Sequence, residues 1–240
     1  MTPSNDPIRI NRYLSEKGLA TRKEADVLIS AGNVLINGKK AVLGQKVTNS
    51  DTVEIQNRPA KKYSYFVYNK PRGITTHPEK NTKDIVSVLT KSKSEKIPKL
   101  FPVGRLDKDS SGLIILTNDG RVTDKLLNPR FYHEKEYKVT VNKEITPKMM
   151  AKLAKGVRLG DGTLTRPAHV KKNGPKQFTI IITEGKNRQI RRMCEVVGFH
   201  VVTLERIRIM NLVIGNLKEG ALAPIANEDL VPFLATLGIQ

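Results

Sequence analysis

Tryptophan is absent from this 240-residue chain, and cysteine occurs once, at position 194. A single thiol excludes an internal disulfide framework and fits a reducing compartment, so Cys194 reads as a small packed side chain. His77, His133, His169 and His200 are scattered, with none at zinc-ligand spacing to Cys194 or to one another, and no structural metal is expected. Neither the Walker phosphate loop nor the Gly-x-Gly-x-x-Gly fingerprint occurs, so no nucleotide cofactor is expected either. No apolar run approaches the length of a membrane-spanning helix, and Met1 to Pro7 is polar with no signal-peptide core. The cytoplasm is the expected location, with no membrane partner. Acidic residues are also short: 23 Asp plus Glu face 42 Lys plus Arg, a formal charge of +19. That excess goes well beyond what solubility requires and points to a polyanionic partner.

What is present supplies a core, since 38% of residues are apolar. From Ile8 to Ala20 the positions Ile10, Tyr13, Leu14 and Leu19 follow helical three-four spacing. Thr21-Arg22-Lys23-Glu24 reads as a capping box opening a second helix with Ala25, Leu28 and Ile29 on its apolar stripe and Gly32 as terminator. Val34 to Ile36 reads as a strand, Asn37-Gly38 as a tight hairpin turn and Asp51 to Ile55 as a later strand. A unit of about 50 residues is only marginally stable by itself. The expected organisation is a disordered terminus at 1–7, a small domain at 8–55, a linker at 56–62 and a larger domain at 63–240.

The larger domain reads as α+β. Strands are expected at Tyr65 to Tyr68, Leu113 to Leu116, Tyr137 to Val141 and Phe178 to Thr183. Helices are expected at Asp84 to Leu89, Val122 to Leu127, Pro147 to Leu153 and Arg188 to Val197, with a flexible loop at Lys91 to Lys99. The segment Phe101-Pro-Val-Gly-Arg-Leu-Asp107-Lys-Asp-Ser-Ser-Gly-Leu-Ile-Ile-Leu brackets a charged loop with Gly104 and Gly112 and runs it straight into an apolar strand. Such a loop is how a site is hung on a rigid element. From the residues alone, Asp107 reads first as a turn carboxylate bonding local amides.

Gly104-Arg105-Leu106-Asp107 followed by Ser111-Gly112-Leu113 resembles the catalytic motif of the RsuA/RluA-type pseudouridine synthases. Asn69-Lys70-Pro71-Arg72-Gly73, His133-Glu134-Lys135-Glu136-Tyr137 and Glu184-Gly185-Lys186-Asn187-Arg188-Gln189-Ile190-Arg191-Arg192-Met193 resemble the family's other motifs, in its order and approximate spacing. Ile8 to Ile55 is similar to the S4-type RNA-binding domain found in many members. Lys108-Asp109, His133 to Tyr137, Arg188 to Glu195 and Leu204 to Asn211 look most like the RluF branch. The resemblance implies a small S4-like domain plus a larger mixed, mainly antiparallel β-sheet catalytic domain. It also implies a cofactor-free enzyme that isomerises uridine to pseudouridine in large-subunit (23S) ribosomal RNA. A monomer is expected. Small-subunit ribosomal RNA or transfer RNA as substrate, and a noncatalytic ribosome-assembly factor, are the alternatives. A hydrolase using Asp107 and Asp109 as an acid/base pair is disfavoured by carboxylates so close in one loop.

The resemblance makes Asp107 the catalytic carboxylate, Arg191 the cation that pairs with it and Tyr137 the ring that stacks on the target base. From the residues alone, Arg191 reads as an ordinary phosphate contact and Tyr137 as core in a strand; the pairing of Arg191 with Asp107 is the favoured reading. Arg105, Leu106, Ile190 and Leu204 are expected around the substrate; Arg105 reads otherwise as a salt-bridge residue, and Ile190 and Leu204 as core. Lys70, Lys186, Arg188 and Arg192, with Arg9, Arg12, Arg22, Lys23, Lys39 and Lys40 in the small domain, are candidate RNA contacts that position rather than read sequence. Singly, each is an ordinary surface charge.

Overall fold

A computed structural model describes residues 6–57, 62–78, 83–91 and 100–239. The expected loop at 91–99 and disorder at 1–7 fall mostly outside these residues, as does the middle of the expected linker. The described chain divides into two compact units. The first lies within 1–63 together with 119–125 and 234–240, and the second spans 64–118 and 126–233.

In the first unit, β1 (Ile8–Arg9) leads into α1 (Ile10–Glu16) and α2 (Arg22–Ser30), followed by β2 (Val34–Ile36), β3 (Lys39–Lys40), β4 (Lys46–Val47) and β5 (Val53–Ile55). The first helix is shorter than its apolar spacing predicts. Ile8 and Arg9 pair instead with Val47 and Lys46, and Gly18 adopts a left-handed φ of 69° just past the C-terminus. The capping box forms as expected: Thr21 Oγ1 accepts from the Glu24 N–H at 3.2 Å, and Glu24 Oε2 accepts from the Thr21 N–H at 2.9 Å. Strand β2 is central, flanked antiparallel by β3 and β5. The β2–β3 turn has Asn37 and Gly38 both at positive φ, the geometry that matches strand twist in a two-residue hairpin. Ile10, Leu14, Ala25, Ile29, Val34, Ile36 and Val47 form its core. Arg9, Arg12, Arg22, Lys23, Lys39 and Lys40 are all exposed.

The second unit is built on β6 (Tyr65–Lys70), β7 (Phe101–Val103), β8 (Ser111–Thr117), β9 (Lys135–Val141), β10 (His169–Gly174), β11 (Gln177–Ile182), β12 (Val201–Ile209), β13 (Leu212–Val213) and β14 (Leu222–Pro224). The helices of the later chain are α3 (Ile85–Lys91), α4 (Arg121–Leu127), α5 (Pro147–Lys155), α6 (Gln189–Val196) and α7 (Asn227–Thr236). The strands form one sheet in the order β10-β11-β9-β12-β8-β6-β14, with β13 on β12 and β7 on β8. Every pairing is antiparallel except β12 with β8, which join in parallel over Glu205↔Ser111 and Arg206↔Gly112. Strand β8 is apolar on both faces and almost wholly buried, as its continuous Leu-Ile-Ile-Leu run requires. Strand β9 alternates, with Lys135, Tyr137, Val139 and Val141 turned inward. Phe178, Ile180 and Ile182 from β11, Met149 and Leu153 from α5, and Ile190, Met193 and Cys194 from α6 complete that core. Cys194 is fully buried, and desolvation pushes its thiol up to about 12, so it stays an unreactive packing group.

The parallel seam sits at the start of β8, directly after the Asp107 loop. Gly112 makes it possible: its φ is 106°, and a Cβ there would fall 2.3 Å from the Arg206 carbonyl oxygen and 2.7 Å from its nitrogen. Only glycine lets the two backbones approach this closely.

Candidate active site

The loop between β7 and β8 is held from beneath by the segment that follows β6. Thr76 Oγ1 donates to the Leu106 carbonyl at 2.8 Å and accepts from the Leu106 N–H at 3.0 Å, while the Gly73 N–H donates to the Lys108 carbonyl at 2.7 Å. Lys70 anchors that segment. Its ammonium donates to the carbonyls of Pro71 at 2.9 Å and Ile74 at 2.7 Å, and its side chain is 0% exposed. The expectation that Lys70 contacts RNA is therefore corrected: the cation is buried and spent inside the protein on the Pro71 and Ile74 carbonyls. Burial pulls its pKa down to about 8, partly offset by the charges of Asp107, Asp109 and Glu219.

With the backbone on both sides of Asp107 fixed, its carboxylate is left open. It is 32% exposed, and among the described residues it accepts no hydrogen bond; Arg188 Nη1 stands 3.8 Å away. The role of a carboxylate tied into its own loop falls to Asp109. Arg188 donates to both Asp109 oxygens, at 3.1 and 3.2 Å, in the forked arrangement suited to guanidinium and carboxylate. Burial raises the Asp109 carboxyl, but the Arg188 bonds and the Arg191 charge outweigh it and hold it below the ordinary value. Arg188 sits at a left-handed φ of 46°, an uncommon conformation for a residue with a side chain, immediately before α6.

Arg191, expected to pair with Asp107, reaches Asp109 instead. Its Nη2 lies 3.3 Å from Asp109 Oδ2 and donates to the Asp109 carbonyl at 2.9 Å, and its Nη1 donates to the Val201 carbonyl at 3.2 Å. It projects from the first turn of α6 into the protein and is 6% exposed, and its contacts with Asp109 tie it to the loop that carries Asp107. Burial pushes its pKa below the ordinary arginine value, countered first by Asp109. Lys186 donates to Glu184 at 2.5 Å, and Arg192 pairs with Asp161 at 2.6 Å, so both of these candidate RNA contacts already have internal carboxylates.

Asp107 borders two depressions. One, about 400 Å³, is lined by Arg72, Thr75, Thr76, Arg105, Asp107, Lys108 and Arg188. The other, about 420 Å³, is walled by Arg105, Leu106, Asp107, Tyr137, Ile190, Leu204 and Arg188, with Ile182 and Leu127 beside them. Its size falls in the range of pockets that hold small organic molecules. Thus Asp107, Tyr137, Arg105, Leu106, Ile190 and Leu204 line one cavity, while Lys70 and Arg192 do not. Two further wall residues, Lys135 and Arg206, carry charge into it and are absent from the sequence expectations. An open carboxylate facing an aromatic and aliphatic slot is equipped to work on a flat ring whose attached sugar meets the carboxylate.

The sequence pattern of the family described as RNA pseudouridylate synthase matches residues 64–196, and that of the S4 domain matches residues 8–53. The chain is 43% identical over 229 residues to the dual-specificity RNA pseudouridine synthase RluF of Salmonella typhi, covering 93% of this chain and 77% of that protein. It is 39% identical over 209 residues to ribosomal large subunit pseudouridine synthase B of Bacillus subtilis, covering 82% and 84%. A crystal structure of a pseudouridylate synthase superposes with a TM-score of 0.69 at 27% identity, covering 93% of this chain and 98% of that one. The chain belongs to the RNA pseudouridine synthase family, in the group that carries an N-terminal S4 domain.

Proposed function

We propose that the protein isomerises a uridine of large-subunit (23S) ribosomal RNA to pseudouridine without a cofactor, with Asp107 as the catalytic carboxylate. The observation that carries this reading is the open Asp107 carboxylate at the mouth of a cavity walled by Tyr137, Ile190 and Leu204. A uridine inside folded RNA reaches such a cavity only when unstacked and extruded, and Arg105, exposed at the rim, is positioned to occupy the vacated stack. Tyr137 supplies a ring face against which uracil can turn while trapped.

The reaction breaks the bond between ribose C1′ and uracil N1, with the electron pair leaving on the base. The base rotates, C5 bonds to C1′, the C5 proton departs, and N1 takes one up, so no atom is gained or lost. A carboxylate at the sugar can oppose its positive charge, attack it, or remove a ribose proton. In all three roles Asp107 must be ionised and aimed. The Arg188–Asp109–Arg191 cluster and the Thr76 bonds to Leu106 fix its loop for that purpose.

Large-subunit RNA as the substrate, and the cytoplasm as location, are favoured by the identity to RluF and to the Bacillus subtilis large-subunit enzyme. The dual specificity in the name of the RluF relatives favours a second RNA class, and transfer RNA is the one to examine. Mapping pseudouridine in ribosomal and transfer RNA from cells with and without the protein tests both. Loss of one or a few 23S sites on deletion is expected; an unchanged map in both RNA classes refutes the assignment.

A further inference from the structure

Two buried cations on the cavity wall have no part in the site as described. Lys135 is 9% exposed and Arg206 4%. The sheet brings them to one face. Arg206 on β12 pairs with Tyr137 on β9, and Lys135 stands two residues before Tyr137, so all three point the same way. Lys135 Nζ donates to the His133 carbonyl at 3.1 Å and Arg206 Nε to the Leu113 carbonyl at 2.7 Å. Arg206 Nη2 is buried with no hydrogen-bond partner.

Among the described residues neither cation is in an ion pair. The nearby carboxylates of Glu134 and Glu136 are taken by Arg208, at 2.9 and 2.6 Å, and Asp109 by Arg188 and Arg191. Holding two cations together in a buried wall with no carboxylate in ion-pair contact with either is unfavourable. Burial and the charge of Arg206 together pull the Lys135 ammonium down to about 8. The unpartnered Arg206 Nη2, and the Lys135 protons beyond its one bond, are suited to an acceptor that enters with the substrate.

The acceptor must reach the inner wall beside Tyr137. Phosphates are charged and bulky and suit the exposed rim, where Arg105 and Arg188 stand. A uracil between Tyr137, Ile190 and Leu204 carries two carbonyl oxygens, and these gain negative charge when the bond to the sugar breaks and its electron pair passes to the ring. We propose that Lys135 and Arg206 donate hydrogen bonds to a carbonyl oxygen of the target uracil and hold its negative charge while it is detached and turning. The interaction strengthens as the bond breaks, so it lowers the barrier more than it tightens binding. This inference rests on the pseudouridine synthase reading.

The test uses single-turnover conversion of an RNA carrying uridine, 2-thiouridine or 4-thiouridine at the modified position. Sulfur is a poor hydrogen-bond acceptor, so each thio-substitution removes one oxygen from reach. Lys135→Met is expected to slow conversion of the uridine RNA by roughly 10²- to 10³-fold, with RNA affinity within about three-fold and a native circular dichroism spectrum. Lys135→Arg, which keeps the charge, is expected to recover part of the rate. The wild type should lose rate on the thio-RNA whose oxygen is held, whereas Lys135→Met should show little further loss on that RNA. Normal turnover by Lys135→Met, no thio effect in the wild type, or equal thio losses in both proteins overturns the proposal. A wild type that forms no pseudouridine in any RNA refutes the underlying function instead. Arg206→Lys, which retains a cation, provides the same comparison if Lys135→Met does not fold.

Discussion

Replacing Lys135 by methionine should stabilise the fold at neutral pH while slowing catalysis, and the gain should shrink as the solution becomes alkaline. Burial beside Arg206 holds the lysine pKa at about 8 in the folded protein, against an ordinary value of 10.5. The folded pKa is the lower one, so between about pH 8 and 10.5 the unfolded chain binds more protons, and lysine-linked stability rises with pH. The full shift corresponds to about 3 kcal/mol of penalty at pH 7, of which about 2 kcal/mol is relieved by pH 9.5. Methionine carries no penalty at either pH but forfeits the bond to the His133 carbonyl, about 1 kcal/mol. The variant should therefore be about 2 kcal/mol more stable than the wild type at pH 7 and close to it at pH 9.5. Lys70 titrates in the same window, but it is present in both proteins and cancels from the difference. Urea unfolding at the two pH values measures this directly. A difference between the proteins that is constant with pH would show that Lys135 is not held in an unfavourable charged state.

Two further substitutions probe the scaffold. Gly112→Ala introduces a Cβ 2.3 Å from the Arg206 carbonyl at a φ of 106°; left-handed strain and overpacking together should cost about 3 kcal/mol or more in urea unfolding and lower turnover by displacing the Asp107 loop. A loss below 1 kcal/mol would mean that the β8–β12 seam is not tight. Thr21→Ala removes the N-cap of α2 and should cost about 1 kcal/mol. Amide hydrogen exchange should show faster opening of Ala25 to Ser30, and unchanged protection would contradict that.

Features set by neighbouring residues could be read from the chain. The Thr21 cap, the Asn37-Gly38 turn and the buried run of β8 each follow from a few consecutive side chains. The motif residues Tyr137, Ile190 and Leu204 do line the cavity with Asp107. What escaped depends on long-range geometry. Nothing local says that Arg191 reaches across to Asp109, or that Lys70 turns inward onto Pro71 and Ile74. Strands β1 and β4 have two residues each and are defined only by each other. The burial of Lys135 and Arg206 had a usable signal: each lies two residues from a cavity side chain, Tyr137 and Leu204, in a stretch of strand where alternate residues are buried. A basic residue in phase with the inward positions of a strand is worth examining as a cavity group. Thr76, whose hydroxyl closes both bonds to Leu106, gave no such signal.

The central claim is that the Asp107 carboxylate performs the isomerisation. Asp107→Asn removes the charge with almost no change of shape, and no hydrogen bond among the described residues is lost with it. Pseudouridine formed on 23S ribosomal RNA by the purified variant, measured beside RNA affinity, is the direct measurement. Conversion should fall below detection while affinity stays within a few-fold of the wild type; conversion at the wild-type rate would contradict the account.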